Sequence, residues 1–203
     1  MKKLMMIAAM MVATLSASAQ FEPGTFSLQP KVGVDLAKLS GGDGKFKFGL
    51  AAGIEGQYQI NDWFGVAAAV MYQQEGTKVK DFDDLKLKTE YINVPIVAKF
   101  YVTKGLSLNA GLQPGFMTKA KTTGKLLGES VDEDIKSTCN KVDISIPLGV
   151  AYELPMGLTF DFRYNIGLTK VGKEPKDKDF DDGGNYDAKN QVLMLTVGYK
   201  FSL

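Results

Sequence analysis

The chain has 203 residues, with 24 Lys and Arg against 23 Asp and Glu, and it contains no histidine. This length suits one domain, and a formal net charge of +1 gives no reason to expect nucleic acid as a partner. The absence of histidine excludes catalytic triads that use histidine as the base, most zinc sites and histidine pH switches. A single cysteine, Cys139, excludes an internal disulfide.

The first 19 residues are predicted to be a signal peptide. Two lysines precede an apolar run over residues 4–15, and Ala17 and Ala19 have the small-residue pattern that signal peptidase accepts. The run of about 12 residues is too short for a membrane-spanning helix, which needs about 20. We therefore predict a signal peptide at 1–19 and an exported domain at 20–203. Removing Lys2 and Lys3 lowers the basic count from 24 to 22, against 23 acidic residues.

Beyond the signal peptide, apolar residues alternate with polar or small ones in eight successive stretches, the pattern of half-buried β-strands. Each stretch has about 10 to 13 residues, whereas ordinary globular strands have about 5 or 6 and a tilted membrane strand needs about 9 to 11. Strand length therefore favours a transmembrane barrel over a soluble sandwich. The apolar rows lie within residues 26–36, 48–60, 64–72, 92–100, 106–116, 142–152, 158–166 and 193–201.

Short and long connections alternate between these strands. Residues 61–63, 102–105 and 154–157 form short turns, and residues 37–46, 76–88, 119–141 and 169–190 form long polar loops. An outer-membrane barrel has this arrangement, with short turns on the periplasmic side and long loops on the cell surface. We expect a protein partner, if there is one, at the loops 76–88, 119–141 and 169–190.

Aromatic residues gather at both ends of the apolar rows, as expected for two girdles at the membrane interfaces. The predicted girdle near the periplasmic ends comprises Phe26, Tyr58, Trp63, Phe64, Phe100, Tyr101, Tyr152, Tyr199 and Phe201.

The polar rows are rich in Gly, Ala, Ser, Asn and Gln, and their few charges are of both signs. A water-exposed surface would carry many more Lys and Glu, so these rows fit the interior of a narrow barrel better than scattered surface charges. Eight strands leave an interior just wide enough to be filled by side chains. We therefore predict an all-β fold, an eight-stranded antiparallel up-and-down transmembrane β-barrel with a filled polar lumen. The predicted ion-pair network in the lumen comprises Lys31, Glu55, Lys99, Glu153, Asp161, Arg163 and Lys200.

The stretch YINVPIVAKFY, residues 91–101, contains a proline and a lysine within an otherwise apolar strand. In a barrel, Lys99 and Pro95 both belong to the inward row, where Glu55, Asp161 or Glu153 can pair with the lysine. Because proline has no amide hydrogen for the ladder, we expect a bulge or a distorted ladder around Pro95 and Pro114.

This stretch also resembles a strand of the PorT-like outer-membrane β-barrel proteins of the Bacteroidetes, where an aromatic, a polar residue, a proline and a lysine recur in this order. LNAGLQPGF (108–116), DISIPLGVAYEL (143–154) and TVGYKFSL (196–203) are similar to the strands that follow it there. The resemblance covers the whole exported chain. It implies an eight-stranded barrel of the same general kind as OmpX, and it implies neither catalytic residues nor one fixed function. The C-terminal row of Tyr199, Phe201 and Leu203 is similar to the terminal signal read by the outer-membrane assembly machinery.

Two features have a chemical and a structural interpretation. The pentapeptide KDFDD occurs at 80–84 and 178–182, and spaced carboxylates are calcium ligands, but the EF-hand spacing is absent, which favours solvated acidic loops. Glu153, Asp161 and Arg163 are read as an ion-pair network rather than an acid–base group, because buried charges need partners. The candidate metal ligands are Asp177, Asp179, Asp181 and Asp182.

The sequence thus predicts a non-enzymatic integral protein of a Gram-negative outer membrane, without a cofactor. It would act through its extracellular loops, in surface interaction, envelope integrity or support of secretion, with outer-membrane lipid and lipopolysaccharide around it. The alternatives are a soluble lipocalin-like ligand-binding barrel and a narrow outer-membrane channel. A barrel lipase, acyltransferase or protease is disfavoured, because known enzymes of this kind use a histidine.

Overall fold

A computed structural model describes residues 22–41, 45–78, 86–126, 129–173 and 187–203. The predicted signal peptide and the candidate metal ligands Asp177, Asp179, Asp181 and Asp182 lie outside these residues. In this part of the chain, no helix has the length and apolar content needed to span a bilayer. One short 3-10 helix, Lys136–Thr138, accompanies the strands.

The strands follow the predicted stretches in chain order. They are β1 (Phe26–Leu39), β2 (Lys47–Asn61), β3 (Phe64–Lys78), β4 (Lys86–Asn93), β5 (Ile96–Tyr101), β6 (Leu106–Leu126), β7 (Glu129–Asp134), β8 (Val142–Glu153), β9 (Leu158–Gly167), β10 (Asn190–Tyr199) and β11 (Phe201–Ser202).

Antiparallel pairing closes these strands into a ring with eight positions. β4 and β5 occupy one position between β3 and β6, β10 and β11 share another, and β7 pairs with β6 outside the ring. The ring closes where β1 pairs with β10 and β11, from Leu39 opposite Asn190 down to Ser27 opposite Ser202. The predicted eight-stranded antiparallel barrel is therefore confirmed.

The barrel exposes its apolar rows and buries its polar ones. Val32 on β1 is 65% exposed and Ile96 on β5 is 56% exposed, whereas the neighbouring Lys31 and Val97 are buried. A soluble barrel would place its apolar row inside, so this wall has the polarity of a membrane barrel.

The height of the apolar band agrees with a bilayer. On β6 the outward apolar row runs from Leu106 to Phe116. Ten residue steps at about 3.4 Å, tilted by about 40°, give about 26 Å, close to the 25 Å of outer-membrane barrels. Phe116 therefore marks the extracellular border of the band.

The ladder is interrupted at Val94 and Pro95, between β4 and β5, as predicted. The register is the same on both sides of the break, because Asn93 lies opposite Gly115 and Ile96 opposite Leu112. Ala69 N–H donates to the Pro95 carbonyl at 3.0 Å, but the reciprocal bond to the Ala69 carbonyl cannot form, because proline has no amide hydrogen.

The prediction of a distorted ladder is also confirmed around Pro114. The ladder lacks the pairs of Gln113 and Pro114 with Pro95 and Val94, and the β6–β8 ladder lacks pairs at Gly111 and Leu112, although β6 itself continues. The Pro114 carbonyl accepts a hydrogen bond from Val94 N–H at 2.8 Å, and Pro114 lies opposite Ile144 in the β6–β8 ladder. A register shift in the same ladder lies between Glu90 and Tyr91.

The two ends of the barrel differ. On the periplasmic side the turns are short, and Gly105 adopts φ 96° where a Cβ would lie 2.5 Å from the Glu153 carbonyl oxygen, so only glycine fits there. On the other side, β6 continues ten residues beyond Phe116 and pairs with β7 over Lys121–Leu126.

The predicted loops 119–141 and 76–88 are therefore partly strands, which corrects the sequence interpretation. β6 and β7 form a hairpin within 119–141, and β3 and β4 extend into 76–88. Beyond Phe116, the exposed β6 positions whose side chains the structure describes are polar, namely Thr118, Lys119 and Lys121, so this part of β6 lacks the apolar alternation by which the barrel strands are recognised.

Candidate functional site

Alternation along the strands directs the seven predicted lumen charges inward, and each of them is buried in the structure. They are Lys31, Glu55, Lys99, Glu153, Asp161, Arg163 and Lys200. Glycines opposite the largest side chains provide the room: Lys31 lies opposite Gly53 and Gly198, and Arg163 lies opposite Gly149.

Glu55 is the centre of the larger of two ion-pair groups. Its Oε2 lies 2.7 Å from Lys31 Nζ and 2.9 Å from Arg163 Nη2, and its Oε1 pairs with Lys99 Nζ. Asp161 joins the same group, with Oδ2 2.8 Å from Lys31 Nζ and Oδ1 2.9 Å from Arg163 Nε. Three cations and two carboxylates, contributed by β1, β2, β5 and β9, thus connect distant parts of the wall across the lumen.

Lys200 and Glu153 form a separate pair nearer the periplasmic end, with Nζ and Oε2 2.7 Å apart. The Lys200 ammonium also lies 6.0 Å from the centre of the Tyr101 ring. Gln57 Nε2 donates to the Tyr101 hydroxyl at 2.7 Å inside the barrel. The prediction that Tyr101 belongs to the outer aromatic girdle is therefore wrong, because Tyr101 has the inward parity of Lys99.

The other predicted girdle residues lie on the outer wall. Trp63, Phe64 and Phe100 form one cluster, with ring centres 5.1 to 6.4 Å apart. The rings of Tyr199 and Phe201 lie 4.8 Å apart at the C-terminal end. Phe26, Tyr58 and Tyr152 are exposed on the same half of the barrel.

The extracellular half of the lumen contains an acidic layer that the sequence analysis did not include. It comprises Asp35, Glu75 and Asp143, all buried, together with Lys47, whose amine donates to the Glu75 carbonyl at 2.8 Å. Asp35 is fully buried and neither carboxylate oxygen has a hydrogen-bond partner among the described residues. The sequence contains this signal. Asp35 lies in the inward row of the first strand, and alternation continued past the outward Tyr72 places Glu75 inward.

An apolar cluster covers the extracellular mouth above this layer. Tyr91, Met117 and Ala120 point inward from the wall and pack with Cys139 and Val171 from the connections. Backbone hydrogen bonds hold these connections together, from Asn140 N–H to the Val171 carbonyl and from Val171 N–H to the Ala188 carbonyl, each 2.8 Å. Burial raises the pKa of the Cys139 thiol.

Little free space remains at the periplasmic end of the ion-pair group. A cavity of about 10 Å³ lies between Lys31, Lys99, Tyr101 and Glu153, enough for about one water molecule. Glu153 and Asp161, which line this cavity, are engaged in ion pairs, and so is Arg163. Among the residues that the structure describes, no cluster of three or more Cys, Asp or Glu side chains is arranged to hold a metal.

A closed barrel with an apolar outer band, a girdle of aromatic residues and a charged interior defines an integral outer-membrane β-barrel protein. The family model of the outer membrane protein beta-barrel domain matches residues 5–201, so the chain belongs to this family. No curated protein matches the sequence.

Two solved structures share the fold. Ail, the attachment invasion locus protein of Yersinia pestis, was solved in complex with the heparin analogue sucrose octasulfate. It is 19% identical, with a TM-score of 0.52 over 89% of this chain and 100% of that chain. Neisserial surface protein A (NspA) is 18% identical, with a TM-score of 0.50 over 87% of this chain and 97% of the other.

Proposed function

We propose that this protein is a non-enzymatic surface protein of the outer membrane, which acts through the extension of its wall on the cell surface. The observation that carries the proposal is the length of β6, 21 residues against 10 to 15 in the other unbroken wall strands. The ten residues beyond Phe116 correspond to about 34 Å of strand. The protein thus presents a β-sheet, formed by β3, β4, β6 and β7, rather than loops alone.

The filled lumen supports this role over transport or catalysis. A steady channel would require the Glu55 group to open, which breaks several buried ion pairs at once. An acid–base role for Asp161 or Glu153 would require the same disruption. The chain also lacks the histidine on which barrel hydrolases depend.

The hairpin of β6 and β7 is the best candidate for a protein-binding surface. Within the described residues β7 pairs with β6 alone, so its other edge has backbone groups that a partner strand can use. β7 has the sequence ESVDED, which is strongly acidic, so we propose that it meets a basic partner.

Two finer assignments are also proposals. The stretch YINVPIVAKFY supports placing the chain among the PorT-like barrels of the Bacteroidetes. The stacked Tyr199 and Phe201, next to Leu203, support a C-terminal signal for the outer-membrane assembly machinery.

The test is replacement of residues 121–134 by an Asn-Gly turn, which removes β7 and the end of β6 and leaves the barrel strands intact. We expect a protein that still inserts and shows heat-modifiable gel migration, but that loses the partner captured by photo-crosslinking at Ser137 in intact cells, an exposed position beside the hairpin that both proteins retain. Crosslinking from Lys104, in a periplasmic turn, is the matched control. Capture of the same partner by the shortened protein would contradict the proposal, and so would a steady large conductance of the wild type in planar bilayers.

A further inference from the structure

A block of four lysines lies on the outer face of the extended sheet. Lys78 on β3 is directly opposite Lys86 on β4, and Lys88 on β4 is directly opposite Lys121 on β6. We call these four residues the lysine block. Since Lys86 and Lys88 are two residues apart on one strand, the two pairs adjoin on one face of the sheet.

Burial shows which face this is. Thr89 and Ala120, the neighbours of Lys88 and Lys121 along the chain, are 1% and 0% exposed. Ala120 packs in the apolar cluster that covers the barrel mouth. Successive strand residues point to opposite faces, so Lys88 and Lys121 point outward, and both are exposed.

Like charges directly opposite each other on neighbouring strands destabilise a sheet. Within the described residues, the block has one ion pair with a carboxylate, between Lys121 Nζ and the exposed Asp132 Oδ1 at 3.0 Å. Lys119, just below the block, pairs with Glu90 at 3.2 Å. Asp134 on β7 also lies opposite Lys121, and its carboxylate accepts a hydrogen bond from Lys136 N–H at 2.9 Å. The four lysines thus outnumber the two exposed carboxylates beside them, and an anion with several charges would stabilise this surface.

The height of the block identifies the kind of anion. Phe116, 50% exposed, marks the upper border of the apolar band on β6, and Lys121 follows five residues later. Five steps at about 3.4 Å, tilted by about 40°, place the Lys121 backbone about 13 Å above that border. The headgroup region is about 5 to 7 Å deep, and a lysine side chain can extend down toward it beside the wall.

We propose that the lysine block binds the phosphate groups of a phosphorylated glycolipid in the outer leaflet, with the acyl chains of that lipid lying against Phe116 and its lipid-facing neighbours. The proposal concerns the outer wall of the sheet and goes beyond its role as a partner-binding extension. A soluble anion would have no need of an apolar surface below the lysines. An anionic lipid uses both.

The experiment uses the full exported chain, folded in zwitterionic micelles and titrated with diphosphorylated lipid A, with binding followed by native mass spectrometry. The test variant is K88Q/K121Q. Each lysine near a lipid phosphate contributes about fivefold in affinity, so we expect about 30-fold weaker binding. K104Q, in an exposed periplasmic turn, is the matched control and should bind lipid A as the wild type does.

A second readout separates binding from folding. Without lipid A, K88Q/K121Q should unfold at an equal or higher urea concentration than the wild type, because a like-charge pair is removed. Adding lipid A should stabilise the wild type against urea and leave the variant almost unchanged. The proposal is overturned if K88Q/K121Q and the wild type bind lipid A equally. It is also overturned if dephosphorylated lipid A, or inorganic phosphate alone, binds the wild type as tightly as lipid A.

Discussion

Replacement of Glu55 by Gln tests the ion-pair group that fills the lumen. Glu55 is 1% exposed and pairs with Lys31, Lys99 and Arg163. Glutamine has nearly the same volume, so the variant removes charge without leaving a cavity. Three cations would then share the single carboxylate of Asp161.

Removing one partner of a buried ion pair destabilises a protein by about 3 to 5 kcal/mol, because the charges left behind remain buried. We expect this range for Glu55→Gln. The second replacement in E55Q/K99M restores the balance of the group to one excess cation. The double variant should therefore recover a measurable part of the loss, about 0.5 to 3 kcal/mol.

The assay is reversible urea unfolding in phospholipid vesicles, followed by the fluorescence of Trp63. Trp63 is the only tryptophan of the chain, and it lies exposed on the lipid-facing wall, so its emission reports insertion. Glu90→Gln is the control, since Glu90 pairs with Lys119 at the exposed rim and such pairs contribute about 0 to 1 kcal/mol. Equal stability of Glu55→Gln and Glu90→Gln would refute the reasoning.

Three further predictions concern single positions. Gly149→Ala places a Cβ 2.7 Å from Arg163 Cγ and 2.6 Å from the Phe162 carbonyl oxygen. The free energy of unfolding measured in urea should therefore fall by about 1 to 3 kcal/mol. An unchanged free energy of unfolding would contradict the close packing. Pro95→Ala restores a donor opposite the Ala69 carbonyl, and the new amide should exchange slowly with deuterium; fast exchange would show that the break has another cause. Burial raises the pKa of Cys139 and so lowers the thiolate fraction at pH 8. Alkylation of Cys139 by iodoacetamide should therefore be slower than alkylation of free cysteine. Val171→Ala should accelerate the alkylation, because Val171 packs against Cys139.

Much of the lumen follows from parity alone. Once β1 is known to have period two, Lys31 and Asp35 must share a face, and the same holds for Lys99 and Tyr101 on β5. The same rule places Tyr101 inward, although Tyr101 was predicted among the lipid-facing aromatics. An aromatic residue at a strand end is compatible with either face of the barrel. For Tyr101, the parity that it shares with Lys99 shows that the ring faces the lumen.

For ion pairs between distant residues, the sequence provides a set of candidates without selecting among them: Glu55, Asp161 and Glu153 are all possible partners of Lys99, and Glu55 is the one it pairs with. Glu55 meets Arg163 only because the ring closes and brings β2 and β9 to the same level of a narrow lumen. Alternation gives the face of each residue but not its height, which depends on the register and tilt of all strands together. For this reason Glu153 pairs with Lys200 and stays apart from the Glu55 group.

By itself the sequence determined the class of fold, because strand length, alternation and aromatic ends are local properties that a bilayer imposes on every wall strand. The tertiary structure decided where the strands end on the cell surface. β6 and β7 continue beyond the band without an apolar row, since the hydrogen bonds of a pairing partner stabilise them there and lipid contact does not. The same pairing sets Lys88 beside Lys121, a juxtaposition that the 32 intervening residues of sequence do not reveal.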